Sequence, residues 1–368
     1  MKRKTFKLFL IMCILTSICF ITSCKKNKPI DETFPEIVNK LTSYKLVGTL
    51  ESNFPSGTKE CNVTTYYQSP NMYRVELQNP NTVETQIMIK NADGVYVLVP
   101  SINKTFKVNS SWPANSSYPY LLQSISNDII SDSNMITKKE GKDTTLELKA
   151  KLFNGDQNTT QKIIFDENKM PKEVLLYDKN HNLLTRFVVK SIEQNLSLDQ
   201  QLFKTSESLE TLNVYYKENP IEYERLVTYP TYFPEGTSLK EEVITGDAMN
   251  KFAIMKFGGT TNYTIIQKFM NDSETQVVEY VNGDVYIMGG AFAFINENNI
   301  CFYTDGIQYT IASNEVEVME MIKMGESLKT TDLYKTNHIL LIVCDLFFIS
   351  VDKISTICYN NYKVIKNG

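Results

Sequence analysis

The sequence predicts a mainly β protein of the α+β class: an incomplete antiparallel β-barrel wrapped around helices, followed by a second, small α+β domain. Three observations predict it. Between residues 44 and 190 apolar and polar side chains alternate with a period of two. Turn-forming residues break that alternation at short, regular intervals. In this half helical spacing is confined to two segments, one near 36–43 just ahead of the stretch and one near 118–130 within it.

The chain opens with a leader. Lys2, Arg3, Lys4 and Lys7 form a basic region and residues 8–21 an almost unbroken apolar run, the pattern of a secretory signal. The run is shorter than the ~20 residues of a membrane-spanning helix. Ile21-Thr22-Ser23-Cys24 resembles the bacterial lipobox, which implies cleavage after residue 23 and lipidation of Cys24. A thioether-linked diacylglyceryl group carries two acyl chains of the palmitate kind, and at ~0.8 kcal/mol per buried CH₂ two chains hold where one lets go. The expected organisation is a signal peptide over 1–23, a tether over 24–34 and an extracytoplasmic body on the cell membrane.

Composition fits such a body. The 368 residues are 42% hydrophobic and 22% charged, enough apolar content for a sizeable core and, at ~150 residues per domain, for two domains. A net charge of -4 gives no electrostatic footprint for nucleic acid. Cysteines 61, 301, 344 and 358 form no close pair; Cys61 alternates with Val63 on an apolar strand face, which favours buried thiols over a bridge.

The strands follow in order. Leu46, Gly48 and Leu50, then Cys61, Val63 and Thr65, then Tyr73, Val75 and Leu77 line one face; Ile87 and Ile89 are assigned to the same face. Asn91-Ala92-Asp93-Gly94 reads as a hairpin turn leading to Val95, Val97 and Val99. Later strands are expected at 146–148, 162–165, 172–177 and 184–190. A long sheet with one apolar side must close or wrap around its helices, and either way makes a concave interior.

These residues carry a resemblance. Ser69-Pro70-Asn71-Met72-Tyr73-Arg74 resembles the proline-aromatic-arginine strand of the lipoprotein-localisation family that includes LolA, LolB and RseB. Asp93-Gly94-Val95-Tyr96-Val97, the leucine pair Leu121-Leu122, the hairpin of 166–175 with 184–189, and the closing segment 198–203 follow in the family's order, so the likeness covers 35–205. It implies a half-barrel with an apolar cavity for acyl chains. The residues that would line it are Leu50, Val63, Tyr73, Val75, Leu77, Ile87, Ile89, Val97, Leu121 and Phe187; the alternative is that they pack on the chain's own helices. Ser69 stands where carriers often have arginine, and carriers are soluble, so lipoprotein shuttling is not implied.

Residues 206–227 read as a connector. Tyr229-Pro230-Thr231-Tyr232-Phe233-Pro234-Glu235-Gly236 looks like the opening of a small domain of unknown function that follows LolA-like halves in Gram-positive surface lipoproteins, expected over 228–328. Short strands, including one at 277–280, and a helix at 314–328 complete it. Residues 329–368 are atypical, either an appended tail outside the fold or an extra docked element.

Reactive chemistry is sparse. The two histidines, His181 and His338, fall in a polar turn and in the tail, so no catalytic triad is built. Clustered zinc ligands are lacking, and Asp178-Lys179-Asn180-His181-Asn182 starts like a calcium loop but has Leu183 where glycine is required. The expectation is a non-enzyme without metal or cofactor. Its ligand is a lipid or lipopeptide; the alternative is an RseB-like sensor or scaffold that binds a membrane protein partner in envelope or sporulation signalling.

Overall fold

A computed structural model describes residues 28–80, 84–153, 159–218, 226–246, 251–270 and 277–329. The expected signal peptide, Cys24 and the segment 330–368 with His338, Cys344 and Cys358 lie outside the described residues.

Helix α1 (Ile30–Lys40) begins six residues before its predicted start, where Thr33 N and Oγ1 both donate to Pro29 O, at 3.0 and 2.8 Å. Its Ile30, Phe34 and Val38 recur every fourth residue on one buried face. The chain then runs through β1 (Ser43–Phe54), β2 (Gly57–Gln68), β3 (Met72–Gln78), β4 (Thr85–Asn91), β5 (Gly94–Val99) and β6 (Lys104–Asn109), crosses the concave side through a loop and helix α2 (Leu122–Ser131), and returns as β7 (Ile136–Glu140), β8 (Asp143–Ala150), β9 (Thr159–Phe165), β10 (Pro171–Tyr177) and β11 (Leu183–Gln194). Strand β11 pairs with β1, so two meanders flank one long central hairpin. The sheet curls but does not close: its order runs from β6 through β1 to β11 and out to β7.

One position shows how closely the strands approach. A register shift falls between Val47 and Gly48 on β1. A Cβ on Gly48 would lie 2.4 Å from the Phe187 ring and 2.7 Å from Val188 O, so only glycine admits that ring across the strand.

The predicted connector is partly helix. Helix α3 (Thr205–Glu218) lies on the convex face, with Leu209 buried against Ile87, Ile89 and Leu98. Arg74 holds it there: Nη1 donates to Leu202 O at 3.0 Å and Ser208 Oγ at 2.6 Å, and Nε donates to Glu76 at 2.6 Å.

The C-terminal part continues as β12 (Tyr229–Pro230), β13 (Thr237–Thr245), β14 (Phe252–Gly259), β15 (Tyr263–Phe269), β16 (Val277–Asn282), β17 (Asp284–Met288), β18 (Ala291–Asn296), β19 (Asn299–Thr304), β20 (Ile307–Ala312), α4 (Val318–Glu326) and β21 (Leu328–Lys329). Seven of these strands form a second antiparallel sheet in the order β13-β14-β15-β20-β19-β18-β17. Strand β16 does not join it. It pairs in parallel with β6 and becomes the twelfth strand of the first sheet, so the two halves share a sheet as well as a core.

Candidate functional site

The expected site is the concave face of the first sheet, and the structure fills it. Each of the ten predicted cavity residues is at most 4% exposed. Eight of them, Leu50, Val63, Tyr73, Val75, Leu77, Val97, Leu121 and Phe187, belong to the concave core. Ile87 and Ile89 do not: they face the convex side under α3 with Leu209, while Met88 and Gln86 point inward. The sequence misassigned the phase because β4 is apolar on both faces, each face being covered by a different part of the chain.

Three layers occupy the concavity. First, α1 and α2 contribute Phe34, Val38, Ile125 and Ile129, and Phe34 meets Phe165 edge to face at a centroid distance of 5.0 Å. Second, an aromatic chain crosses the floor from Tyr44 through Tyr67, Tyr73, Trp112, Tyr118 and Tyr120 to Phe187, with successive centroids 5.0 to 6.5 Å apart. Spacings of this kind suit edge-to-face and offset contacts. Tyr44 OH donates to Gln123 Oε1 at 2.9 Å and accepts from Leu122 N at 3.3 Å, and Thr65 Oγ1 donates to Tyr120 O at 3.0 Å, so the strands clamp the start of α2. Burial raises the phenol pKa of Tyr44, Tyr118 and Tyr120 well above the usual value. The Cys61 thiol is pushed up to about 12 by the same burial and is inert as a nucleophile.

Third, the second sheet enters the same core. Val285, Ile287, Phe292, Phe294 and Tyr303 join the concave cluster, and Phe106 packs on Tyr303 at 4.6 Å and on Phe294 at 5.4 Å. Gln86, 2% exposed, behaves as a substitute peptide group. Its Nε2 donates to Tyr303 O at 2.7 Å and its Oε1 accepts from Phe292 N at 2.9 Å. Farther along, buried Glu326 forms an ion pair with Lys59 at 3.1 Å and accepts from Gly289 N at 2.8 Å. Desolvation raises the Glu326 carboxyl above its ordinary pKa, against the pull of Lys59. The void lined by Leu50, Tyr118, Tyr120, Leu176, Tyr286 and Ile287 holds about 30 Å³, the room of roughly one water against ~300–1,000 Å³ for a ligand site.

A second concavity is polar and larger, about 550 Å³, between the 113–117 loop, α2 and the end of β8. Asp128 lines it and accepts from Gln161 Nε2 at 2.7 Å. Burial raises its carboxyl to about 6.

The turn that copies the start of a calcium loop satisfies itself. Asp178 Oδ1 accepts from the backbone N–H of Asn180 and Asn182, both at 2.8 Å, and His181 sits there at φ 60°. Among the described residues no group of three or more His, Cys, Asp or Glu side chains could hold a metal ion. Cys61 and Cys301 are free.

With this geometry in hand, comparison with known proteins gives a family. The model of the sporulation protein YdcC-like family matches residues 3–203. The chain belongs to the YdcC-like sporulation family. The sporulation protein YdcC of Bacillus subtilis (strain 168) is 28% identical over 332 residues, covering 89% of this chain and 97% of the relative. Similar solved structures include the Pseudomonas aeruginosa MucA/MucB complex, at 13% identity and TM-score 0.30 over 81% of this chain and 98% of that one. Another is a LolA superfamily protein of Nitrosomonas europaea, at 12% identity and TM-score 0.29 over 48% and 96%. The family match ends at residue 203, where the closing segment meets α3, so the LolA-like likeness drawn from the sequence and the YdcC-like family cover the same half. The architecture is mostly β, with large antiparallel sheets not closed into a barrel.

Proposed function

We propose that the mature YdcC-like chain is a Cys24-lipidated, non-catalytic extracytoplasmic protein that acts in sporulation by binding a protein partner at the membrane. The observation that carries this reading is the occupied concave face. An acyl chain entering there would have to displace Phe294, Tyr303 and their neighbours. Apolar burial yields about 25 cal/mol per Å² whichever group supplies the area, so the exchange gains little. The partner alternative therefore takes precedence over the lipid ligand expected from the family resemblance.

Two outer strands support it. β7 is exposed along its whole length, and β13 leaves Val243 and Ile244 40% and 43% exposed at the margin of the second sheet. Strand margins that no described strand covers can take up extended segments of other chains.

Two measurements test the reading. The Cys24→Ala chain, recovered from the extracytoplasmic fraction, should carry no stoichiometric lipid on organic extraction. The anchored chain should give a discrete protein adduct on crosslinking in membranes of sporulating cells. Bound lipid without an adduct would return the acyl-ligand reading. Cys24→Ala should also leave the membrane pellet, and retention through a carbonate wash would sink the anchor.

A further inference from the structure

The amino-terminal attachment fixes which way the molecule faces. From Lys28 onward the chain is held to the body. Lys28 O accepts from Thr33 Oγ1 and Lys169 Nζ, both at 3.2 Å, and Lys169 Nζ also donates to Thr33 Oγ1 at 3.1 Å. Lys28 Nζ pairs with Glu36 on α1. Lys169 belongs to the β9–β10 turn, so the exit point of the tether lies beside that turn. The β7–β8 turn is its neighbour through Lys142–Glu167 at 2.8 Å and Lys172–Asp143 at 2.7 Å.

Between Cys24 and Lys28 there are four Cα steps. Fully extended they reach about 14 Å. A diacylglyceryl group on Cys24 therefore holds the exit point at Lys28 within about 14 Å of its attachment.

The antiparallel register sorts the rest of the molecule by height. The same end of the sheet carries the start of β1 and the end of β2, where Ser43 pairs with Gln68. The opposite end carries the β1–β2 hairpin, about 35 Å away at ~3.3 Å per residue. There the end of α4, β21 and the β19–β20 turn attach: Ser56 Oγ donates to Glu326 O at 3.2 Å, Lys329 Nζ donates to Ser56 O at 3.0 Å, and Asp305 N donates to Glu84 Oε2 at 3.5 Å.

We infer that the rim formed by the start of α1, the β9–β10 turn and the β7–β8 turn lies against the lipid headgroups, and that the β1–β2 hairpin, with the end of α4 on it, is held at the far end. This rests on the lipidation of Cys24 proposed above. Charge attraction is secondary. Lys28, Lys142 and Lys172 on the rim are already paired with carboxylates, so the short tether sets the orientation.

The test uses the lipidated full chain in vesicles that carry a headgroup-attached nitroxide quencher. Cys344 and Cys358 are replaced by Ser, and a fluorophore is placed through Asn168→Cys at the rim or Thr58→Cys in the β1–β2 hairpin, both exposed sites. The expected result is loss of fluorescence at position 168 and none at 58. A chain that floats with the vesicles but shows equal or reversed quenching overturns the rim alone. A chain that does not float overturns the anchor and the rim together.

Discussion

Replacing Lys59 by Met isolates the electrostatics of the junction between the two sheets. Glu326 is 1% exposed at its side chain and Lys59 37%. Removing one partner of a buried pair costs about 3–5 kcal/mol; because Lys59 is partly wet and water already screens it, about 2–3 kcal/mol is the better expectation. The pH dependence is the sharper prediction. The Glu326 carboxyl lies above its ordinary 4.5 in the folded protein, so the stability linked to its protonation is fully present below the unfolded value and is lost as pH rises through the folded one. Lys59→Met raises the folded pKa further. Its deficit should therefore be largest near pH 8 and fade as the pH falls toward 4.5. Glu326→Gln keeps an acceptor for Gly289 N and removes the buried charge, so it should stay within about 1 kcal/mol of the parent and abolish most of the effect of Lys59→Met. Urea unfolding of the four proteins of this cycle at several pH values gives the coupling. A Lys59→Met deficit that does not vary with pH, or a Glu326→Gln chain as weak as Lys59→Met, would refute the reasoning.

Gln86→Ala should leave Tyr303 C=O and Phe292 N–H buried without partners, at about 1–3 kcal/mol for each group; a lowered urea midpoint with faster amide exchange at Phe292 would register it. Asp128→Asn should stabilise the chain at pH 7. A carboxyl held at about 6 in the native state, against 3.8 when free, gives stability that is present below 3.8 and drains away as pH rises to 6. The two-unit difference corresponds to at most about 3 kcal/mol. Melting curves of parent and variant should converge in acid and separate near neutrality.

The first sheet was legible where its strands, such as β2 and β9, meet polar solvent on one side and the core on the other. Leu46, Leu50, Val63, Val75 and Val97 alternate cleanly and stand on the concave side as predicted. Legibility failed where a segment is buried on both faces. In β4, Ile87 and Ile89 are as apolar as Met88, and the deciding fact is a helix more than a hundred residues later. That helix, α3, carries Leu209, Leu212 and Tyr216 at helical spacing, but its Glu and Ser content gave it the look of a linker. Strand β16 was read correctly as a strand at 277–280, yet its pairing with β6 rests on contacts that no local pattern encodes. Packing on the chain's own helices was one of the two readings the sequence allowed, but the entry of the second sheet was invisible for the same reason: alternation shows which side of a strand is oily and not what comes to rest on it.

The late arrival of β16 has a consequence for biogenesis. During synthesis the stretch up to β11 emerges first, and it must wait for nearly ninety further residues before Asn282 can settle beside Asn109. Until then β6 offers raw peptide groups to any passing chain. Residue 205 is thus a poor place to cut, and a fragment ending there should be sticky rather than autonomous, however self-contained its sequence looks.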